Sequence, residues 1–171
     1  GTLRRVGGWG YLFDRGGSGY DLGRDAVYTV LCAADGRGAA TRLTPLLADK
    51  LGKPVTEAVP VLYEQGKPAI AALAPLVFVA AAENDPAAVR ILEQNGQELA
   101  RLFNTLYEAA DATCLPTVLT GSVFKNWSVF SSYVLPHLRG RHTLIFPELP
   151  PVYGSAVEAM ALLRLPTDAG F

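Results

Sequence analysis

The side chains able to do chemistry in this 171-residue chain are concentrated at three glycine-containing turns. The first, residues 7–20, carries Trp9, Asp14, Arg15 and Ser18 among six glycines, with Asp21 just beyond. An aromatic face beside hydroxyl and carboxylate groups suits a sugar, whose ring has an apolar face and a polar rim. Asp14, Asp21 or Asp25 could act as a general base toward a sugar hydroxyl, and spacing does not choose among them. The second turn, residues 120–126, places Ser122 and Asn126 near a helix N-terminus, where free amides favour anionic or polar groups and Gly121 lets backbone approach a ligand. It lacks the G-x-x-x-x-G-K-[ST] spacing of a Walker A loop. The third, residues 150–156, puts Gly154, Ser155 and Ala156 at a helix start. Each turn also has a plain structural reading: a turn around a buried tryptophan, Ser122 as a helix cap with Lys125 in solvent, and close helix packing at Gly154.

No hydrolytic triad is apparent. Ser18 and Ser155 lack a G-x-S-x-G elbow, and His137 and His142 have no neighbouring carboxylate in sequence. Both histidines read as surface residues. Cys32 and Cys114 stand far apart without a CxxC pair, which supports neither zinc nor a disulfide framework and fits reduced, buried thiols.

The elements that must position these turns follow from periodicity and punctuation. A short strand at residues 3–6 leads into the first turn. Helices are expected over 20–34, 41–51, 55–63 with a break at Pro60, and 68–82 with a bend at Pro75. Asp85 followed by Pro86 is a cap and first-turn signature, and the 3.6-residue period then holds to Ala110. Strands are expected at 117–120 and 142–146, helices at 127–138 and 154–165, the last offering Val157, Met160, Ala161 and Leu163 for packing. A β-α-β-α tail implies a parallel pair with a crossover, and all three turns then fall at strand-to-helix junctions, where open α/β sheets bind ligands.

Composition sets the outer limits. Fifteen Lys and Arg against 16 Asp and Glu give a net charge of -1, with no basic run to track phosphates, so nucleic acid is not an expected partner. Half of the residues are hydrophobic, enough for one sizeable core over residues 1–171. The longest apolar stretch, 69–82, is interrupted by Pro75 and shorter than a membrane span, and no signal-peptide pattern opens the chain, so a soluble, cytoplasmic protein with no membrane partner is expected.

Taken in order, Val6-Gly7-Gly8-Trp9-Gly10, Gly17-Ser18-Gly19-Tyr20-Asp21-Leu22-Gly23, Thr120-Gly121-Ser122-Val123-Phe124-Lys125-Asn126-Trp127 and Pro151-Val152-Tyr153-Gly154-Ser155-Ala156 resemble the N-acetylglucosamine kinase and BadF/BadG/BcrA/BcrD-type ATPase family. The resemblance implies an α/β, ribonuclease-H-like domain of the actin, Hsp70 and sugar-kinase superfamily, helix-rich with a short mixed sheet. It implies ATP and Mg2+ as cofactors and a cleft between two such domains, of which this chain matches the C-terminal one. The first phosphate-binding loop and the catalytic aspartate would lie in an N-terminal domain upstream, and the second phosphate-binding turn would be missing as well, unless Gly1 and Thr2 are its remnant. By the same resemblance, Gly8, Trp9 and Gly10 contact the amino sugar, with Asp14 and Ser18 beside them. Ala71, Gly121, Ser122 and Asn126 contact the nucleotide, and no catalytic residue lies in this chain.

One departure bears on the substrate. The kinases read Gly-Asp-Glu-Gly-Ser where this chain reads Asp14-Arg15-Gly16-Gly17-Ser18, so the sugar-contacting aspartate aligns with Arg15 and Asp14 is the candidate to replace it. The resulting expectation is the C-terminal part of an ATP-dependent kinase for N-acetylglucosamine or a related amino sugar or hexose, with a homodimer admitted. The alternatives are a BadF-type ATPase that activates a CoA-ester dehydratase or reductase, and a non-catalytic module that binds sugar or nucleotide. Neither cysteine lies in the glycine-rich setting that the iron–sulfur ligands of the activating ATPases occupy.

Overall fold

The computed structural model describes residues 4–110 and 113–164. Among these the chain runs α1 (Gly19–Ala34), α2 (Leu43–Leu51), α3 (Val55–Ala71), α4 (Ala74–Ala82), α5 (Pro86–Ala109), β1 (Leu115–Val118), α6 (Trp127–Val134), β2 (His142–Ile145) and α7 (Pro151–Leu162). Short 3-10 helices, Ser122–Asn126 and Leu135–His137, flank α6. The strands pair in parallel, Leu115 opposite His142 and Val118 opposite Ile145, with α6 in the crossover. A parallel neighbour requires such a connection, because a tight hairpin can only reverse the chain.

The two helices that matter most for the candidate site start on side-chain caps. Ser18 Oγ accepts from Asp21 N at 3.2 Å, while Asp21 Oδ2 accepts from Ser18 N at 3.0 Å and from Ser18 Oγ at 2.8 Å, a capping box that opens α1. Asp85 opens α5 by accepting from Ala87 N and Ala88 N, with Pro86 filling the first helical position. The same carboxylate reaches back to accept from Thr41 Oγ1 and Arg42 N, tying the start of α2 to the start of α5. Burial opposes its ionisation, but the bonds from Arg42 N, Ala88 N, Thr41 and Ala87 N outweigh that and hold it below the ordinary carboxylate value.

Leu22, Ala26 and Val30 recur at four-residue intervals on α1 and are buried against α3, α4 and α5. Ile91, Leu92 and Leu99 of α5, Val77 and Phe78 of α4, and Phe130 and Val134 of α6 complete the same cluster. Phe78 meets Phe130 edge to face at 5.8 Å between ring centres. No single helix among the described residues is long and apolar enough to cross a membrane; α3 and α4 together are, but they bend by 64° and supply core residues.

Several expectations are corrected. Residues 4–6 form no strand, since no strand among the described residues pairs with them; the Arg5 guanidinium instead donates to the Gly7 and Gly8 carbonyls. Leu3, Gly1, Thr2 and the expected helix end at Leu165 lie outside the described residues. Pro60 does not end its helix: α3 continues to Ala71, and its break comes at Gly66, whose φ of 64° is left-handed. The bend expected at Pro75 is a full stop at residues 72–73, after which Pro75 sits in the first turn of α4. β1 begins at Leu115, two residues earlier than expected, because that register matches β2 from His142. α7 has no buried residue, and a Cβ on Gly154 would meet nothing, so close packing does not explain that glycine.

Candidate functional site

Of the four residues expected at the nucleotide, three line one cavity and the fourth, Gly121, lies in a crevice beside it. A cavity of about 250 Å³ has Ala71, Ser122 and Asn126 in its wall together with Gly19, Pro75 and Phe78. Local sequence explains the shape. Helix α3 stops at Ala71, two residues precede α4, and Pro75 fixes the first turn of the new helix, so small side chains turn inward where the chain bends. Opposite them, β1 ends at Val118 and Gly121, at φ 121°, swings the chain into the 3-10 turn that carries Ser122 and Asn126. Ser122 makes no cap hydrogen bond, which removes its plain structural reading. Gly121 lies in an adjoining open crevice of about 630 Å³, beyond the C-terminal ends of β1 and β2, which also takes in Thr120, Lys125 and Glu148. That is the place where an open α/β sheet holds a ligand.

The first glycine turn stands beside this cavity, and Gly19 belongs to both. Trp9 is 66% exposed, with the Arg5 guanidinium 4.3 Å from its ring centre, so its indole is a surface platform and not a core residue. Asp14 Oδ2 accepts from Trp9 N at 3.2 Å, and the Gly10 carbonyl accepts from Phe13 N and Asp14 N, which folds residues 8–14 into a compact turn. Gly8 and Gly10 adopt φ of 70° and 102° there. Leu12 and Phe13 are exposed next to Trp9, giving the turn an apolar outer rim.

The three candidate carboxylates separate by environment. Asp21 is 2% exposed and occupied by the cap and by Gly16 N, with Arg24 at 3.2 Å. Asp25 is paired with Arg15 and Arg24 and bonded by Asn95. Asp14 alone has no ion pair among the described residues, which makes it the carboxylate available to a ligand hydroxyl in this turn. Ser18 is spent as the α1 cap, so its hydroxyl is less available than its position suggested.

Among the described residues no three His, Cys, Asp or Glu side chains stand close enough to hold a metal. Around the cavity and its adjoining crevice, Thr120 and Ser122 offer hydroxyls, Asn126 an amide, Lys125 an ammonium and Glu148 a single carboxylate, so an octahedral Mg2+ there would take most of its oxygens from nucleotide phosphates and water. Both cysteines are unpaired and half-buried. His137 is exposed as expected, but His142 is not a free surface histidine: it packs on Phe103 and Tyr107, its Nδ1 lies 3.0 Å from Thr117 Oγ1, and its Nε2 lies 3.1 Å from the Arg139 carbonyl.

Sequence reasoning missed Gly19, Pro75 and Phe78 as cavity walls and Asn95 as a partner of Asp25. The available signal for the first group was the pair Pro68 and Pro75 within an alanine-rich run, which announces a chain break lined by small side chains. For Asn95 the signal was a polar residue on the apolar face of α5.

Comparison with known proteins places the chain in a family. The family model described as the BadF/BadG/BcrA/BcrD ATPase family matches residues 1–159. An N-acetylmuramic acid/N-acetylglucosamine kinase of Clostridium acetobutylicum is 33% identical over 131 residues, which is 74% of this chain and 43% of that protein. The crystal structure of a proposed N-acetylglucosamine kinase of Chromobacterium violaceum superposes with a TM-score of 0.67 at 26% identity, covering 91% of this chain and 51% of that one. The chain thus spans about half the length of each of these relatives.

Proposed function

Because the chain belongs to the BadF/BadG/BcrA/BcrD ATPase family, we propose that it is the C-terminal nucleotide- and sugar-binding part of an ATP-dependent amino-sugar kinase. The observation that carries this reading is the convergence of Ala71, Ser122 and Asn126 on one cavity that shares Gly19 with the Trp9 turn. A nucleotide pocket and a sugar-type platform side by side are what phosphoryl transfer to a sugar hydroxyl requires. The two relatives are described as kinases of N-acetylglucosamine, one of them also of N-acetylmuramic acid, and this is the substrate class we assign.

ATP, when bound, supplies the phosphoryl group. The chain's own residues supply position: the apolar wall at Ala71 and Phe78 takes the base, Ser122 and Asn126 bond the ribose side, and the Gly121 turn lets backbone approach the phosphates. The Trp9 indole stacks on the sugar while Asp14 accepts from a hydroxyl. The general base and the Mg2+ ligands are assigned to an N-terminal half outside this chain, in a cytoplasmic enzyme. Two exposed features support such a covering half. Helix α7 carries Val152 at 66% and Leu162 at 78% exposure, and among the described residues the parallel sheet has only two strands, whereas parallel sheets are normally larger and buried on both faces.

The test is ADP release by the intact polypeptide with N-acetylglucosamine, N-acetylmuramic acid, glucose and no sugar. ADP formed only with an amino sugar establishes the kinase. Equal ADP without sugar would move the weight to an ATPase, and nucleotide binding without turnover to a non-catalytic module.

A further inference from the structure

Asn95 sits in the middle of α5 at 0% exposure, with its amide nitrogen donating to the Ile91 carbonyl and to Asp25 Oδ2, both at 2.9 Å. Its amide oxygen is buried and has no partner. A leucine, with the same branching, would leave no unmet acceptor there, so the asparagine's buried and unpaired amide oxygen is a cost that packing does not explain. The surroundings supply one. Asp25 Oδ2, the atom held by Asn95, is also the atom that binds the Arg15 guanidinium, while Oδ1 faces Arg24 at 3.3 Å. Arg15 belongs to the glycine turn next to Asp14, and its side chain is 47% exposed at the turn's mouth.

The same residue touches that turn a second time through its backbone. A Cβ on Gly17 would lie 2.5 Å from the Asn95 carbonyl oxygen, and Gly17 has a φ of 69°, so the turn rests directly on α5 and only glycine fits. The next residue, Gly96, faces the other way: a Cβ there would lie 2.3 Å from the Tyr133 carbonyl of α6. One turn of α5 therefore holds both the sugar-type turn and the helix that follows the Ser122–Asn126 turn.

We propose that Asn95 is a positioning residue that orients Asp25, and through it Arg15, so that the glycine turn is held in the geometry that receives the sugar. This rests on the kinase reading for the identity of the ligand. The brace itself is independent of it.

Two readouts on the intact polypeptide test the proposal, using Asn95→Leu, Arg15→Gln and Arg15→Lys. Amide hydrogen exchange at residues 16–18 reports the seating of the turn, because Gly16 N and Ser18 N donate to Asp21. Asn95→Leu and Arg15→Gln should each speed that exchange and raise the KM for N-acetylglucosamine by about tenfold, with the KM for ATP held within about twofold. The double variant should be no worse than the stronger single one, and Arg15→Lys should recover most of the loss. Unchanged exchange at residues 16–18 in both single variants would overturn the brace, as would equal rises in the two KM values. Arg15→Gln alters an exposed side chain and keeps the test open should Asn95→Leu fail to fold. Absence of sugar-dependent ADP release from the wild type would sink the kinase reading, and the exchange data would still decide the brace.

Discussion

Gly23 offers a sharp test of how α1 and α3 meet. It lies buried inside α1, where alanine would ordinarily favour the helix by about 1 kcal/mol. Here a Cβ would stand 1.9 Å from the Ile70 carbonyl oxygen and 2.8 Å from its carbon. The obstacle is backbone and cannot turn aside, so reaching an ordinary contact requires the helices to part by roughly 1.5 Å. Overpacking of this kind costs about 1–3 kcal/mol, and a backbone clash belongs at the upper end, which leaves Gly23→Ala less stable by about 2 kcal/mol after the propensity gain. For a chain of this size that is a fall in Tm of about 4–8 °C. Thermal and urea unfolding followed by circular dichroism measure it, with Gly154→Ala as the control: nothing surrounds that helical glycine, and alanine there should add about 0.5–1 kcal/mol. Because Ile70 precedes Ala71 in the cavity wall, Gly23→Ala should also weaken ATP binding. A Gly23→Ala variant as stable as the wild type would refute the packing argument.

Three further expectations follow from the same geometry. Ala71→Leu fills part of the 250 Å³ cavity and should raise the Kd for ATP at least about tenfold while the KM for sugar stays nearly constant. Trp9→Ala removes a side chain that is 66% exposed, so stability should change by less than about 0.5 kcal/mol while sugar affinity, measured by calorimetry, falls about tenfold. Asp85→Ala should cost about 2 kcal/mol at pH 7, as the starts of α2 and α5 lose a shared acceptor. The folded pKa of Asp85 is depressed, so this contribution is present above the unfolded value of about 3.9 and is lost as pH falls through the folded value; the gap between wild type and Asp85→Ala should therefore close in acid titrations below about pH 4.

The legible parts of this molecule were those in which residue type alone carries the physics. Asp85 and Pro86 announce a helix start whatever surrounds them, and α5 begins where they stand. The β-α-β order forces a parallel pair, and β1 and β2 form one. The residues expected at the nucleotide came from the family resemblance, and the cavity brings Ala71 together with Ser122 and Asn126 across some fifty positions of sequence that no local pattern connects. What escaped was set by neighbours. Proline removes a helical donor, so Pro60 predicts a break, yet α3 runs through it and yields at Gly66, where left-handed backbone carries no steric cost. Val157 and Leu163 carry an apolar period, but burial needs a second surface and no residue of α7 is buried. The glycines show the same division. In the Trp9 turn they signal freedom of φ, a property of the residue itself, and Gly8 and Gly10 use it. Gly23 and Gly96 instead mark absent side chains, where the Ile70 and Tyr133 carbonyls press against a helix. Such a glycine looks like a weak point in its helix until the partner is in place, and it is the partner that makes alanine, the better helix former, the destabilising choice.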